Sequence, residues 1–230
     1  MNIALILAAG SSQRFNADKL KQFYEIDGRP LIWYALNSFH AVKEIDLIVV
    51  AVQKDAVDYI SNLIQDSNFY KVKHVIIGGA TRQESSFNGV KFIKTMAKED
   101  DIVLIHDAAR PLVSEVIICN CIESAKKFNA ATTALPIEDT PAISFDGESI
   151  AFMPERKNVY RIQTPQAFKV GMIYIAHHLL KDDSRNTDDA GLIFKTFMPV
   201  HLVMGDKRAM KVTSLEDVYY LQALIHGERK

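Results

Sequence analysis

Short continuous apolar runs alternate along this chain with stretches whose apolar positions recur at helical spacing. Ile3–Ala8, Asp46–Val52, Lys73–Ile77, Ile102–His106 and Ala131–Pro136 are predicted as strands, and Leu31–Ala41, Ala56–Gln65, Glu84–Ala97 and Ser114–Phe128 as helices. The run Leu47-Ile48-Val49-Val50-Ala51-Val52 is apolar at every position, the pattern of a strand covered by helices on both faces. This βαβ rhythm predicts a three-layer α/β fold around a mostly parallel, Rossmann-like sheet. The rhythm breaks between Ile137 and Phe168, where Pro141, Pro154, Pro165 and the charged Glu155-Arg156-Lys157 interrupt β-like pieces at Ala142–Phe145 and Ser149–Phe152. Such a segment carries too little apolar surface to fold alone, so 137–168 is expected to be a protruding β-arm that lies on a second subunit of a homodimer. Beyond it the pattern predicts helices near Gly171–Leu180 and Asp188–Phe197, a strand at His201–Met204 and a closing helix from Ser214, all within one domain over 1–230.

Composition narrows the partners. With 48% hydrophobic and 24% charged residues, 230 residues suffice for one ordinary core. The net charge of −1 argues against nucleic acid or a membrane held by bulk electrostatics, so any anionic ligand must be caught by local groups. Cys119 and Cys121 stand two apart in a predicted helix, on nearly opposite sides, and can neither pair nor share a metal. So few thiols suit a reducing compartment. No basic residue precedes the apolar run Ile3–Ala9, which reads as a buried strand and not a signal peptide, and no run is long enough to span a bilayer. A cytoplasmic location is expected.

Open parallel sheets bind ligands beyond the carboxyl ends of their strands. Beyond the first strand lies Ala8-Ala9-Gly10-Ser11-Ser12-Gln13-Arg14, whose small residues let backbone N–H groups approach an anion while Arg14 adds charge. It matches neither G-x-x-x-x-G-K-[ST] nor G-x-G-x-x-G with an acidic residue closing the second strand, where Val52-Gln53-Lys54 stands instead. A P-loop NTPase and a dinucleotide oxidoreductase are therefore both poor fits. Beyond the third strand, Gly78-Gly79-Ala80-Thr81-Arg82-Gln83-Glu84-Ser85 reads as a tight turn with a helix cap. Beyond the fourth, in His106-Asp107-Ala108-Ala109-Arg110-Pro111, Asp107 suits a divalent cation and Arg110 a phosphate, or the two form a structural ion pair. Asp139-Thr140, Arg156, Thr164-Pro165-Gln166 and Lys211-Val212-Thr213 add polar or cationic groups that spacing alone does not unite.

In this order the motifs resemble the 2-C-methyl-D-erythritol 4-phosphate cytidylyltransferases over nearly the whole chain. The residues carrying the resemblance are Ala8-Ala9-Gly10 with Arg14, Lys21-Gln22-Phe23, Gly78-Gly79 with Arg82 and Ser85, His106–Pro111, Asp139-Thr140, Thr164-Pro165-Gln166, Thr187-Asp188-Asp189-Ala190 and Lys211-Val212-Thr213 with Glu216-Asp217. The resemblance implies transfer of CMP from CTP to a polyol phosphate. Arg14 and Lys21 would stabilise charge at the α-phosphorus, with Lys211 as a further catalytic cation. Ala8, Ala9, Gly10, Ser11, Gly79, Ala80, Ser85, Asp107 and Ala108 would frame the nucleotide, with Asp107 beside Mg²⁺. Arg110 and Lys211 would meet the acceptor, joined by Thr140, Arg156 and Thr164 from the partner subunit's arm. Position 12 is Ser where the family often has Gly, and position 80 is Ala where many members are acidic.

Two rival functions share parts of this pattern. Ribitol 5-phosphate cytidylyltransferases share the fold and the CTP site but tend to carry Val at the second alanine of the His106–Pro111 motif, where this chain has Ala109. A non-catalytic nucleotide-binding relative would be expected to lose catalytic cations, yet Arg14, Lys21 and Lys211 are all present.

Overall fold

The computed structural model of the chain describes residues 1–10, 21–181, 186–196 and 198–227, and of Lys21 the backbone. The first strand, β1 (Asn2–Leu7), precedes a small hairpin of β2 (Glu25–Ile26) and β3 (Arg29–Pro30). Asp27 and Gly28 turn this hairpin with φ values of 50° and 72°, the left-handed pair that a two-residue β-turn of this hand needs. There follow α1 (Leu31–Ala41), β4 (Leu47–Val52), α2 (Val57–Asp66), β5 (Val72–Ile77), α3 (Arg82–Lys94), β6 (Ile102–Asp107), α4 (Glu115–Phe128), β7 (Ala130–Pro136), β8 (Tyr160–Lys169), α5 (Val170–Leu179), α6 (Asp189–Lys195), β9 (His201–Met204) and α7 (Leu215–Gly227). The predicted strands and helices form, with ends moved by a residue or a few.

Seven strands make one sheet in the order β5-β4-β1-β6-β8-β7-β9, parallel except that β8 runs antiparallel to both β6 and β7. Period-2 alternation explains why its central strands are apolar throughout. Ala4, Ile6, Ile48 and Val50 point to a core shared with α1, α2 and α4, while Ile3, Leu5, Val49 and Ala51 point to a second core under α3, α5 and α6. Both faces are covered, which is the three-layer arrangement. On the second face α3 comes close enough that a Cβ on Gly89 would stand 2.4 Å from Leu5 Cδ2, so only glycine fits there. Local signals set the helix ends: Thr81 accepts from the Glu84 N–H and Ser114 from the Ile117 N–H, while Asn129, at φ 71°, closes α4.

The structure shortens the predicted excursion at 137–168. Tyr160–Lys169 is β8, inside the sheet, and the excursion ends before it. The segment reads as irregular because Gln163, Thr164 and Gln166 are polar yet buried. Their partners come from distant elements: the Gln166 amide donates to Asp188 Oδ2 at 2.8 Å and to Thr132 Oγ1 at 3.1 Å. Pro165, which lacks an N–H, sits opposite the register shift between Thr132 and Ala134. What protrudes is 137–159, closed by an antiparallel bridge between Ile143 and Phe152, with Phe145 91% exposed at its tip.

Among the described residues no helix is long and apolar enough to cross a membrane.

Candidate active site

The order of the sheet creates the site. From β1 the chain moves to β4 and β5 on one side, then returns to β6 on the other, so the loops after β1 and β6 part and leave a crevice at their carboxyl ends. A cavity of about 140 Å³ occupies it, walled by Ala8, Ala9 and Gly10 after β1, Ser85 on α3, Asp107 and Ala108 at the end of β6, and Lys211 ahead of α7.

Its β1 wall is tied down from behind. The buried Gln22 donates to the carbonyls of Ala8 at 2.8 Å and Gly10 at 3.3 Å, and Gln53 donates to that of Ala9 at 3.2 Å. With their carbonyls held, the small residues keep a fixed surface toward the cavity. The β5 wall needs its glycine pair: a Cβ on Gly78 would stand 2.5 Å from that of Ala9, and one on Gly79 2.2 Å from that of Glu84. Ser85 Oγ accepts from the Gly79 N–H at 3.0 Å and donates to the Thr81 carbonyl at 2.8 Å. Ala80 is exposed, and its N–H donates to Glu84 at 2.8 Å, so Gly79 and Ala80 support the rim while Ser85 lines the cavity.

Asp107 is the electrostatic centre. Its Oδ1 accepts from Arg82 Nε at 3.0 Å and its Oδ2 from Lys211 Nζ at 2.7 Å. Burial by itself would raise its pKa, but the charges of Arg82 and Lys211 outweigh it and hold the carboxyl well below the usual carboxylate range. The ion pair anticipated with Arg110 is replaced by these two. Arg110 instead donates through Nη1 to the Ala209 carbonyl at 2.9 Å, and its buried Nε has no partner among the described residues. His106 is fully buried between the Arg110 carbonyl and Thr164 Oγ1, and burial lowers its pKa to about 4, so at neutral pH it is an uncharged packing group.

Lys211 also lines a second cavity of about 540 Å³, together with Arg110, Arg161, Lys207, Glu138 and Tyr220. Lys211 is thus a wall residue of both cavities.

Thr164 is not on the arm. It lies in β8, 4% exposed, where its hydroxyl accepts from the Asp107 N–H at 3.1 Å and bonds His106 Nδ1 at 3.1 Å, so within this chain it buttresses Asp107. Thr140 and Arg156 are on the arm, exposed, and line neither cavity; Arg156 donates to the Glu138 carbonyl at 3.1 Å. Ser11 and Arg14 lie outside the described residues, and Lys21 opens the short 3-10 turn Lys21–Phe23. Residue-by-residue reading missed the part played by Arg82, Gln22 and Arg161. Arg82 was signalled by its place just after the glycine pair, and Gln22 by adjoining Lys21.

A divalent cation takes hard oxygen ligands, and Mg²⁺ is usually held by one or two carboxylates plus substrate phosphates and water. One carboxylate in the first cavity, already shared by two cations, fits an ion that arrives with phosphate ligands and not an all-protein cage. Among the described residues, the one group of three candidate ligands, Glu44, Glu115 and Cys119, lines neither cavity.

Small residues and fixed cations gathered at the carboxyl ends of a doubly covered parallel sheet define an α/β protein built for a polyanionic, nucleotide-like ligand. The family model of the 2-C-methyl-D-erythritol 4-phosphate cytidylyltransferases matches residues 2–227. The Thermosipho melanesiensis enzyme of that name is 36% identical over 223 residues, with 96% of each chain covered, and that of Clostridium perfringens is 36% identical over 218 residues, covering 94% of this chain and 95% of the relative. Among solved structures, the 4-diphosphocytidyl-2C-methyl-D-erythritol synthase of Anaerococcus prevotii superposes with a TM-score of 0.83 at 32% identity, covering 98% of this chain and 96% of that one. The Thermus thermophilus cytidylyltransferase gives 0.75 at 27% identity, covering 96% and 98%. The chain belongs to the 2-C-methyl-D-erythritol 4-phosphate cytidylyltransferase family, and it is an enzyme of the nucleotidyltransferase class.

Proposed function

We propose that CMP is transferred where the two cavities meet, with CTP in the smaller, the acceptor phosphate in the larger and Lys211 between them. The reaction is that of the family: CMP passes from CTP to 2-C-methyl-D-erythritol 4-phosphate with release of pyrophosphate, a step of non-mevalonate isoprenoid synthesis. The observation that carries the placement is that Lys211 lines both cavities while ion-paired to Asp107 at the end of β6.

An oxygen of the acceptor phosphate forms a bond to the α-phosphorus as the bond from that phosphorus to the pyrophosphate oxygen breaks. A phosphate monoester has a second pKa of about 6, so the nucleophile is already largely dianionic at neutral pH and needs no base. The neutral, buried His106 fits that requirement. What the chain must supply is alignment and neutralisation. Lys211, with Arg14 and Lys21 from the segment after Gly10, neutralises charge on the triphosphate and the developing pyrophosphate. Ala8, Ala9, Gly10, Ser11, Ser85 and Ala108 shape the nucleotide wall, with Gly79 and Ala80 at its rim. Arg110, whose buried Nε is unpartnered among the described residues, takes the acceptor phosphate. Asp107 would hold Mg²⁺ together with the triphosphate, and the bound ion would supply Lewis-acid charge neutralisation there.

The reading is tested by following pyrophosphate release from CTP with each acceptor. Turnover with 2-C-methyl-D-erythritol 4-phosphate is expected at a much higher kcat/KM than with ribitol 5-phosphate. The reverse preference would assign the chain to the ribitol enzyme, and release with neither would leave a nucleotide-binding protein.

Completion of the acceptor side from a second subunit belongs to the same proposal. The 137–159 arm presents Phe145, Ile150 and Phe152 to water, 91%, 65% and 58% exposed. It suits the flank of another copy, which would bring Thr140 and Arg156 to the partner's acceptor cavity. Sedimentation velocity at micromolar concentration is expected to give a dimer, and a stable monomer would remove the arm from the site. The proposed location is the cytoplasm, in keeping with two free thiols.

A further inference from the structure

The ion pair between Arg82 and Asp107 is one end of a longer buried chain. Asp189, the first residue of α6, is 1% exposed, and its Oδ2 accepts from Arg82 Nη1 at 2.8 Å. Its Oδ1 accepts from Ser86 Oγ at 2.5 Å and lies 3.1 Å from His177 Nε2. Burial alone would raise this carboxyl, but Arg82 foremost, with His177 and Ser86, brings it down to about 2. It is thus an anion at every working pH, satisfied on both oxygens.

The backbone that carries it is equally fixed. Gln166 Oε1, on β8, accepts from the N–H groups of both Asp189 and Ala190 at 3.0 Å, and Asp188 Oδ1 caps the same helix through the Gly191 N–H at 2.9 Å. Asp189 is therefore an anchor bolted to the sheet. Ser86, His177 and Asp189 are each no more than 1% exposed, so they do not form a hydrolytic triad open to substrate.

A guanidinium is planar, and two carboxylates placed on different edges of it fix its plane and rotation. Arg82 gives Nε to Asp107 and Nη1 to Asp189, while Lys211, 38% exposed, depends on the remaining Asp107 oxygen for its direction. We propose that Asp189 is a positioning residue for CMP transfer: acting through Arg82, it orients Asp107 and so aims the Lys211 ammonium at the meeting point of the two cavities. This rests on the reading of Lys211 as the cation at the transferred phosphate.

The test is a double-mutant cycle in kcat, measured by pyrophosphate release at saturating CTP and 2-C-methyl-D-erythritol 4-phosphate, using Asp189→Asn and Lys211→Ala. The asparagine keeps the volume of the side chain but weakens its hold on Arg82. Misplacement of a catalytic group by about 1 Å costs on the order of 10²-fold, so Asp189→Asn is expected to lower kcat by about 10- to 100-fold in the otherwise native enzyme. In the Lys211→Ala background the same change is expected to cost less than about 3-fold, because groups that act as a unit are not additive. An equal loss in both backgrounds would show a general structural role and overturn the proposal, as would native kcat in Asp189→Asn. If Asp189→Asn does not melt cooperatively, Ser86→Ala enters the same cycle. It removes one donor to Asp189 and leaves both charges, with a smaller loss of about 3- to 10-fold that must also vanish without Lys211. Native kcat in Lys211→Ala alone would instead strike down the reading of the site.

Discussion

Lys211→Ala is expected to lower kcat by about 10²- to 10³-fold, the usual cost of removing one preorganised group that stabilises transition-state charge. The protein as a whole carries a net charge of −1, so it cannot draw two polyanions together by bulk field. Capture and neutralisation depend on the few cations concentrated around Asp107. Of those with a described side chain, Lys211 alone lines both cavities: Arg82 lines only the smaller, and Arg110, Arg161 and Lys207 line only the larger. The acceptor KM is expected to rise as well, since the same ammonium meets the ground-state phosphate. Stability should change little. Lys211 is more than a third exposed, so its ion pair is screened by water, and Asp107 keeps Arg82 when the lysine is gone. Steady-state kinetics paired with a thermal melt separates the two effects. A kcat within about threefold of native, far below the cost of a lost transition-state contact, would mean that Lys211 serves Asp107 and not the phosphates.

The parts of this molecule that were legible in sequence are those set by local pattern. Leu47–Val52 could be read as a doubly buried strand because its apolar run has no polar gap, and the Gly78–Ser85 turn could be read as carrying a helix cap, which the structure places at Thr81, because a cap acts within three residues. β8 was not legible, since Gln163, Thr164 and Gln166 are buried only because Thr132, Asp188 and the start of α6 satisfy them. No window around residue 164 contains that information.

The site divides along the same line. Asp107 was readable as a strand-end carboxylate, but sequence proximity suggested Arg110 as its partner. The fold chose Arg82 and Lys211, which are 25 and 104 residues away. Asp189 was visible only within a motif, for its place between Arg82 and His177 depends on α3, α5 and α6 meeting over one face of the sheet. Resemblance named Thr164 as an acceptor contact from the partner's arm; in this chain its hydroxyl is committed to His106 and the Asp107 N–H.

Arg14→Ala and Lys21→Ala are each expected to lower kcat by about 10²- to 10³-fold while the protein folds normally. The structural ground is Gln22, which is 4% exposed and spends its amide on the Ala8 and Gly10 carbonyls. Gly10 and Gln22, at either end of the intervening segment, therefore both stand at the smaller cavity. Between those points the sequence places Arg14, Lys19 and Lys21, the last directly adjoining the fastened residue. In the proposed placement the departing pyrophosphate gains charge in the smaller cavity, whose described cations are Lys211 and an Arg82 already held by Asp107 and Asp189, so further neutralisation there is assigned to this segment. Lys19→Ala separates specific contact from general charge. If positive charge near the triphosphate were enough, all three variants would lose activity alike and raising the ionic strength would mimic them. Particular contacts predict that Lys19→Ala stays near native kcat, while Arg14→Ala and Lys21→Ala keep their deficits at low salt and saturating CTP.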